Sequence, residues 1–122
     1  MKLADCSLKL LHSKFEYWEV DNEYQLPIIN YLLYGFNPGS FFSSVFCNDF
    51  FGAMVCSHPA NTVEALKRVV NFMFNCLPVI CYGSHEKFNN WLSMDESNRR
   101  SILEKCGLIY SQKDEMWKIL ND

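Results

Sequence analysis

The run from Phe41 to Cys56 is apolar on nearly every side, and it constrains the fold more than any other feature of the chain. At about 100° per residue, its Phe, Val and Met side chains spread around the whole circle of a helix. A helix that is apolar all round is a buried one. A turn at residues 37–39 and a capping Ser40 would start it, and His58-Pro59 would end it. We therefore predict a compact, mainly α-helical bundle of about five to six helices around this buried central helix.

An adjacent Asn48-Asp49 pair interrupts the apolar run. Burying an unpaired carboxylate costs several kcal/mol, so Asp49 should find hydrogen-bond donors. The structural interpretation gives it a nearby helix N-terminus, or an Arg such as Arg68, as its partner. Two functional interpretations stay open, a binding role at a groove edge and catalysis, but the sequence places no second carboxylate beside Asp49. Asn48 and Asp49 are therefore candidate binding residues, and no residue is assigned as catalytic.

Helical spacing and capping residues predict further helices on both sides of this run. Gly35 is a suitable left-handed stop for the helix that Pro27 begins. The predicted segments are Leu3 to about Ser13, about Leu26 to Tyr34, Asn61 to Leu77, Ser84 to about Leu92, and Ser93 to about Cys106. Between the first two, Phe15 to Val20 could form a short strand or an extended aromatic tether.

Two structures are open for the tail from Leu108 to Leu120. Ser111 with Asp114 indicates a capped helix that carries Trp117 and Leu120. Alternatively, residues 108–111 and 116–120 pair as a small C-terminal β-hairpin. The capping pattern favours the helix.

The length of 122 residues predicts one domain, residues 1–122, large enough to fold without disulfide staples. The six Cys mostly sit among apolar neighbours, and the first residues, Met1 to Asp5, show no long apolar run of a secretory signal. We therefore expect reduced thiols and a cytoplasmic protein. No stretch approaches the roughly 20 apolar residues that a membrane span requires, so we expect no membrane partner.

The net charge of −3 is mild and argues against direct nucleic acid binding through a broad basic face. The densest basic spot is Arg99-Arg100, with Lys105 nearby. We interpret it as a solvated helix face. The alternative is a nucleic-acid-binding accessory protein that uses Arg99, Arg100 and Lys105 on one helix, and Arg99 and Arg100 are kept as candidate binding residues.

The sequence carries no strong signature of catalysis or of a cofactor. The Cys56 to His58 and Cys76 to Cys81 spacings differ from the paired motifs of structural zinc sites. No nucleophile elbow and no Gly-rich phosphate loop is present, and His12 is expected at the surface with His85. We predict a protein that is not an enzyme, with no cofactor and no metal. A small hydrolase or a zinc-dependent protein remains the alternative.

Aromatic residues are plentiful, and those that a core cannot absorb are common anchors of protein interfaces. The leading candidates are Tyr17, Trp18 and Tyr34. They complete the set of candidate binding residues.

From about Leu26 to Leu108 the chain resembles a family of small uncharacterised bacteriophage and prophage proteins. The pattern is a Pro-led helix ending in Gly, then Pro-Gly-Ser-Phe, a hydrophobic run, Asn-Asp, an Asn-started helix, a Pro, Gly-Ser and Trp-Leu. Its positions here are Pro27, Tyr31, Gly35, Pro38-Gly39-Ser40-Phe41, Val45, Asn48-Asp49, Ala53, Asn61, Pro78, Gly83-Ser84, Glu86 and Trp91-Leu92. The resemblance implies a viral or prophage origin, and residues 1–25 would be an elaboration of this chain.

The leading functional hypothesis combines that resemblance with the missing catalytic signatures. It is a small phage-encoded, non-enzymatic interaction protein that binds and modulates a host or defence protein in the host cytoplasm. An anti-CRISPR-type inhibitor is one concrete version. A homodimer stays open.

Overall fold

The computed structural model describes residues 2–58 and 61–121, which form eight α-helices, one short 3₁₀ helix and no strand. The mainly α class is confirmed, whereas the predicted count of five to six helices is too low. The helices are α1 (Asp5–Tyr17), α2 (Asn22–Tyr34), α3 (Ser40–Phe46), α4 (Phe50–Cys56), α5 (Val63–Cys76), α6 (His85–Ser93), α7 (Glu96–Lys105) and α8 (Gln112–Asn121), with the 3₁₀ helix at Val79–Cys81. The tail is a helix, and the alternative hairpin is wrong.

The predicted single helix from Phe41 to Cys56 is wrong, because the Asn48-Asp49 pair divides it into α3 and α4. Asn48 adopts the left-handed conformation (φ 61°), which ends α3 as a glycine commonly does. Asp49 then caps α4 by accepting a hydrogen bond from the backbone N–H of Gly52 at 2.9 Å. Asn48 therefore ends α3, and Asp49 caps the start of α4. Pro59, predicted to end the run with His58, lies outside the described residues.

The prediction that this run is buried fails for its second half. In α4, Phe51 is 81% exposed and Val55 is 79% exposed, while Ala53 is the buried residue of the helix. The first half behaves as expected, since Phe42 and Phe46 of α3 are buried. A helix of seven residues that reaches the surface can leave most of its apolar side chains in water, so the all-round pattern did not guarantee burial.

The central helix of the molecule is α2. The Tyr31 ring lies 4.3 Å from the Phe46 ring and 5.3 Å from the Phe88 ring, measured between centroids. The Tyr31 hydroxyl donates to the carbonyl oxygen of Cys81 at 2.7 Å, and the Trp91 indole N–H donates to the carbonyl oxygen of Tyr31 at 2.9 Å. These bonds satisfy the polar groups that the buried rings bring into the core. The cluster thus joins α2, α3 and α6.

The N-terminal residues belong to the same core. Phe15 of α1 stacks on Phe72 of α5 with ring centroids 4.6 Å apart, and Leu11 is buried beside them. The ambiguous segment from Phe15 to Val20 is the end of α1 followed by a turn, rather than a strand or a tether. Residues 2–25 therefore carry part of the packing that holds the fold.

Three predicted boundaries can be compared with the helix caps. Gly35 ends α2 in the left-handed conformation, with its N–H bonded to Tyr31 and the N–H of Phe36 bonded to Asn30, which confirms the predicted stop. Thr62, rather than Asn61, caps α5. Ser93 closes α6 instead of opening α7. Errors of one to three residues are typical of boundaries argued from sequence.

Candidate functional site

The largest uncovered apolar surface that the structure describes lies on α4 and α5. On α4, four adjacent positions on one side of the helix are exposed, and on α5 three positions form a stripe at helical spacing. We call this surface the docking face, and it consists of Phe50, Phe51, Met54 and Val55 of α4 with Val63, Val70 and Phe74 of α5. Phe50 is 71% exposed and Phe74 is 75% exposed.

A groove runs along the docking face between α4 and α5. At one end Met54 and Val63 form its walls, and in the middle Phe50 and Ala53 face Leu66 and Val70. Leu66 and Val70 each line two adjoining parts of the depression, which makes the groove continuous along α5. The far end is lined by Val45, Asn48, Val70, Met73, Phe74, Tyr82 and Gly83.

Asp49 and Asn48 both line this groove, and local structure explains both positions. A side chain at Gly52 would overlap the Asp49 carboxylate and come within 2.7 Å of the Ser44 hydroxyl, so a larger residue there would displace the Asp49 cap. The predicted helix N-terminus is thus the partner of Asp49, and it belongs to α4. Arg68 is not a partner, because its guanidinium lies 3.4 Å from Asp21.

The candidate aromatic anchors occupy a different part of the molecule. Tyr17 is exposed at the end of α1 and meets the half-buried Trp18 edge to face, with centroids 5.2 Å apart. Tyr34 lies at the end of α2 and stacks on the exposed Phe36 at 5.3 Å. None of the three candidates lines the groove. Asn48 and Asp49 are therefore the only predicted binding residues that the structure brings to the docking face.

The interpretation of Arg99 and Arg100 as a solvated basic face is wrong for both residues. Arg99 is 6% exposed, and its guanidinium donates to the backbone carbonyls of Leu33, Trp91 and Met94. Those carbonyls end α2 and α6, so a buried cation caps two helix C-termini. Burial lowers the pKa of Arg99, an effect that nearby Asp95 opposes.

Arg100 is likewise committed to internal contacts. Its guanidinium lies 2.9 Å from the carboxylate of Glu104 and 2.5 Å from that of Glu115, and only 12% of its side chain is exposed. Neither arginine presents its charge to a phosphate backbone. The arginine pair therefore gives the nucleic-acid alternative no support.

The six cysteines are free thiols, as predicted. Burial raises the pKa of Cys81 and of Cys47, which keeps both thiols protonated and poorly nucleophilic near neutral pH. Across residues 2–58 and 61–121, no three His, Cys, Asp or Glu side chains are placed to hold a metal ion together. His12 and His85 are exposed, as predicted.

No helix in the described part of the chain has both the length and the apolar content needed to cross a bilayer.

The docking face was not predicted from the sequence, because Phe50, Phe51, Met54 and Val55 belong to the run from Phe41 to Cys56 that was predicted to be a buried helix. A signal was present in the distribution of charge. Between Glu23 and Glu64, Asp49 is the only Asp, Glu, Lys or Arg, and it is used as a helix cap. A stretch of that length without solvating charges indicates a surface that is covered by something as readily as it indicates a core.

The geometry defines a small all-α protein with a largely apolar docking face. Comparison of the chain with protein-family models, with curated proteins and with solved structures finds no match.

Proposed function

We propose that the protein is a non-enzymatic interaction protein that binds another protein through the docking face. The size of the face carries this proposal. Taking about 200 Å² for a fully exposed phenylalanine, the three rings leave roughly 450 Å² uncovered, and the smaller side chains bring the face to roughly 800 Å². The largest apolar patch on a typical monomer is about 300–600 Å². A larger patch is typical of a surface that a partner covers.

The shape of the face favours a helical segment of the partner. The α5 wall from Val63 to Phe74 is about 16 Å long at 1.5 Å per residue, enough for roughly three turns of a second helix. Apolar side chains on both walls suit an amphipathic helix that inserts residues spaced three and four apart. Asn48, which lines the groove, would offer an amide to the backbone or a polar side chain of that helix.

The nature of the partner is proposed from the sequence. The resemblance to bacteriophage and prophage proteins supports a partner among host or defence proteins, met in the host cytoplasm. Inhibition by occupying a surface of such a protein, as an anti-CRISPR-type inhibitor does, requires no reaction centre. A largely apolar face without a cluster of basic side chains supports that mode of action better than it supports binding to nucleic acid.

A capture experiment tests the proposal. The wild-type protein and the double variant Phe51→Ser/Phe74→Ser would each be used to retain proteins from a bacterial host lysate, with identification by mass spectrometry. Leu120→Ser is the matched control, because Leu120 is as exposed as Phe51 but lies on α8, which packs against α1. A partner retained by the wild type and by Leu120→Ser, but lost by the double variant, is the expected result. Equal retention by all three would refute binding through the docking face.

A further inference from the structure

We infer that a second copy of this chain covers the docking face, so that the protein is a symmetric homodimer when its other partner is absent. The inference rests on the proposed function, because it assigns an occupant to the same face. The two occupants exclude each other, since the same side chains cannot be buried twice. A partner protein would therefore bind in place of the second copy.

The area of the face meets what a stable dimer needs. Standard interfaces bury about 800 Å² on each side, which is roughly the apolar area that the docking face leaves in water. Phe50, Phe51 and Phe74 supply more than half of the exposed area of the face, and aromatic side chains are enriched at the cores of such interfaces. A second copy supplies the same area and the same ring chemistry.

The distribution of charge favours a second copy over a charged partner. A two-fold interface places a surface against itself, so a net charge of either sign on that surface would repel its own copy. Asp49 beside the docking face is bonded to the backbone N–H of Gly52, and the α5 part of the face also carries two exposed charged side chains, Lys67, in line with Val63 and Val70, and Glu64. Glu64 and Lys67 have opposite signs, so together they add no net charge to the face.

Closed two-fold symmetry is the simplest arrangement for such a face. The competing arrangement is head to tail, in which the groove of one copy receives the exposed apolar side of α8 from the next. Trp117 and Leu120 are exposed on α8. An arrangement of this kind does not stop at two copies unless it closes into a ring, and it needs α8 as much as it needs α4.

Sedimentation equilibrium over a wide range of protein concentration tests the inference. We expect the wild type to approach twice the monomer mass and no more. Phe51→Ser should raise the dimer dissociation constant by about 100-fold or more, because the residue occurs twice in the interface and is the most exposed ring of the docking face. Leu120→Ser should leave that constant unchanged within about twofold.

Several outcomes would overturn the inference. A wild type that stays monomeric at every concentration excludes the homodimer, while the capture experiment above could still succeed and leave the proposed function intact. A dimer that Phe51→Ser does not weaken uses another surface, and assembly beyond two copies or disruption by Leu120→Ser indicates the head-to-tail arrangement. Val55→Ser, on the same side of α4, replaces Phe51→Ser if circular dichroism shows that the first variant is misfolded.

Discussion

Two groups of aromatic side chains lie close together in the sequence and have opposite fates in the structure. Phe46 is the last residue of α3 and is 0% exposed, whereas Phe50 is the first residue of α4 and is 71% exposed. Only the Cys47-Asn48-Asp49 segment separates them. Hydrophobicity is the same on both sides, so the reversal of the backbone at Asn48 decides which ring enters the core. The backbone conformation of the turn therefore determines which of these rings is buried, and the hydrophobicity of the side chains does not.

The inner group, which consists of Tyr31, Phe46, Phe88 and Trp91, is buried and has its polar groups hydrogen-bonded within the core. The outer group, Phe50 and Phe51, is mostly exposed to solvent. The rings of Phe46, Phe88 and Trp91 each pack against the Tyr31 ring, and the Tyr31 hydroxyl and the Trp91 indole N–H both donate to carbonyls. The rings of Phe50 and Phe51 meet only edge to face, 6.4 Å apart, and remain in water. The inner group stabilises the fold, and we propose that the outer group stabilises a complex.

The largest expected effect on stability comes from removing a ring of the inner group. Trp91→Ala should lower the free energy of unfolding by about 3–5 kcal/mol, because it opens a cavity and leaves the Tyr31 carbonyl without its indole donor. Chemical denaturation followed by circular dichroism measures the loss. Trp117→Ala is the control, since Trp117 is mostly exposed on α8 and should change stability by less than about 1 kcal/mol. Similar losses for the two variants would contradict the inner packing.

The next largest effect comes from the buried cation that holds the inner group in place. Arg99→Met keeps much of the side-chain volume but removes the guanidinium N–H groups that donate to the carbonyls of Leu33, Trp91 and Met94. The Trp91 carbonyl keeps the Met94 N–H as a second donor. The substitution should cost about 2–3 kcal/mol, because the Leu33 and Met94 carbonyls lose the guanidinium as their partner. Lys105→Met, on the exposed side of α7, should cost less than about 0.5 kcal/mol. Thermal melts in which both variants resemble the wild type would show that Arg99 does not cap these helices.

Local signals in the sequence predicted the helical class, the left-handed stop at Gly35 and the caps at Ser84 and Ser111, because each depends on neighbouring residues alone. The same signals could not predict which apolar run would be central. Periodicity reports how apolar a helix is, and the fold decides how many of its sides are covered. The buried Arg99 was missed for a related reason, since its partners are carbonyls of two other helices.

The candidate site was predicted only in part. Asn48 and Asp49 stood out as polar residues in an apolar run, and both lie in the groove. The apolar residues of the docking face could not be separated from core residues by type, because Phe, Met and Val serve in both. Only the scarcity of charge between Glu23 and Glu64 carried information about an uncovered surface.

A smaller effect is expected at Asp49, which lies between the two groups and caps the start of α4. Asp49→Ala should cost about 1 kcal/mol, because α4 loses its N-terminal cap. Asp49→Asn should cost only a few tenths of a kcal/mol, because the amide oxygen can still accept from the Gly52 N–H. Urea denaturation of the two variants side by side measures the difference. If both match the wild type, the cap does not hold the turn that sends α4 to the surface.

The smallest expected effect is the sharpest test of the outer group. Phe51→Ser should change the free energy of unfolding of the monomer by less than about 0.5 kcal/mol, because an exposed ring loses little when it is removed and the helix propensities of Phe and Ser are similar. Fluorescence-detected unfolding at high dilution, where self-association is negligible, measures the free energy of unfolding of the monomer alone. Phe46→Ser, the matched change on the inner side of the turn, should cost several kcal/mol. A loss above about 1 kcal/mol for Phe51→Ser at that dilution would mean that the ring already packs within the monomer. In that case the docking face would be part of the core, and the proposal that a partner covers it would be refuted.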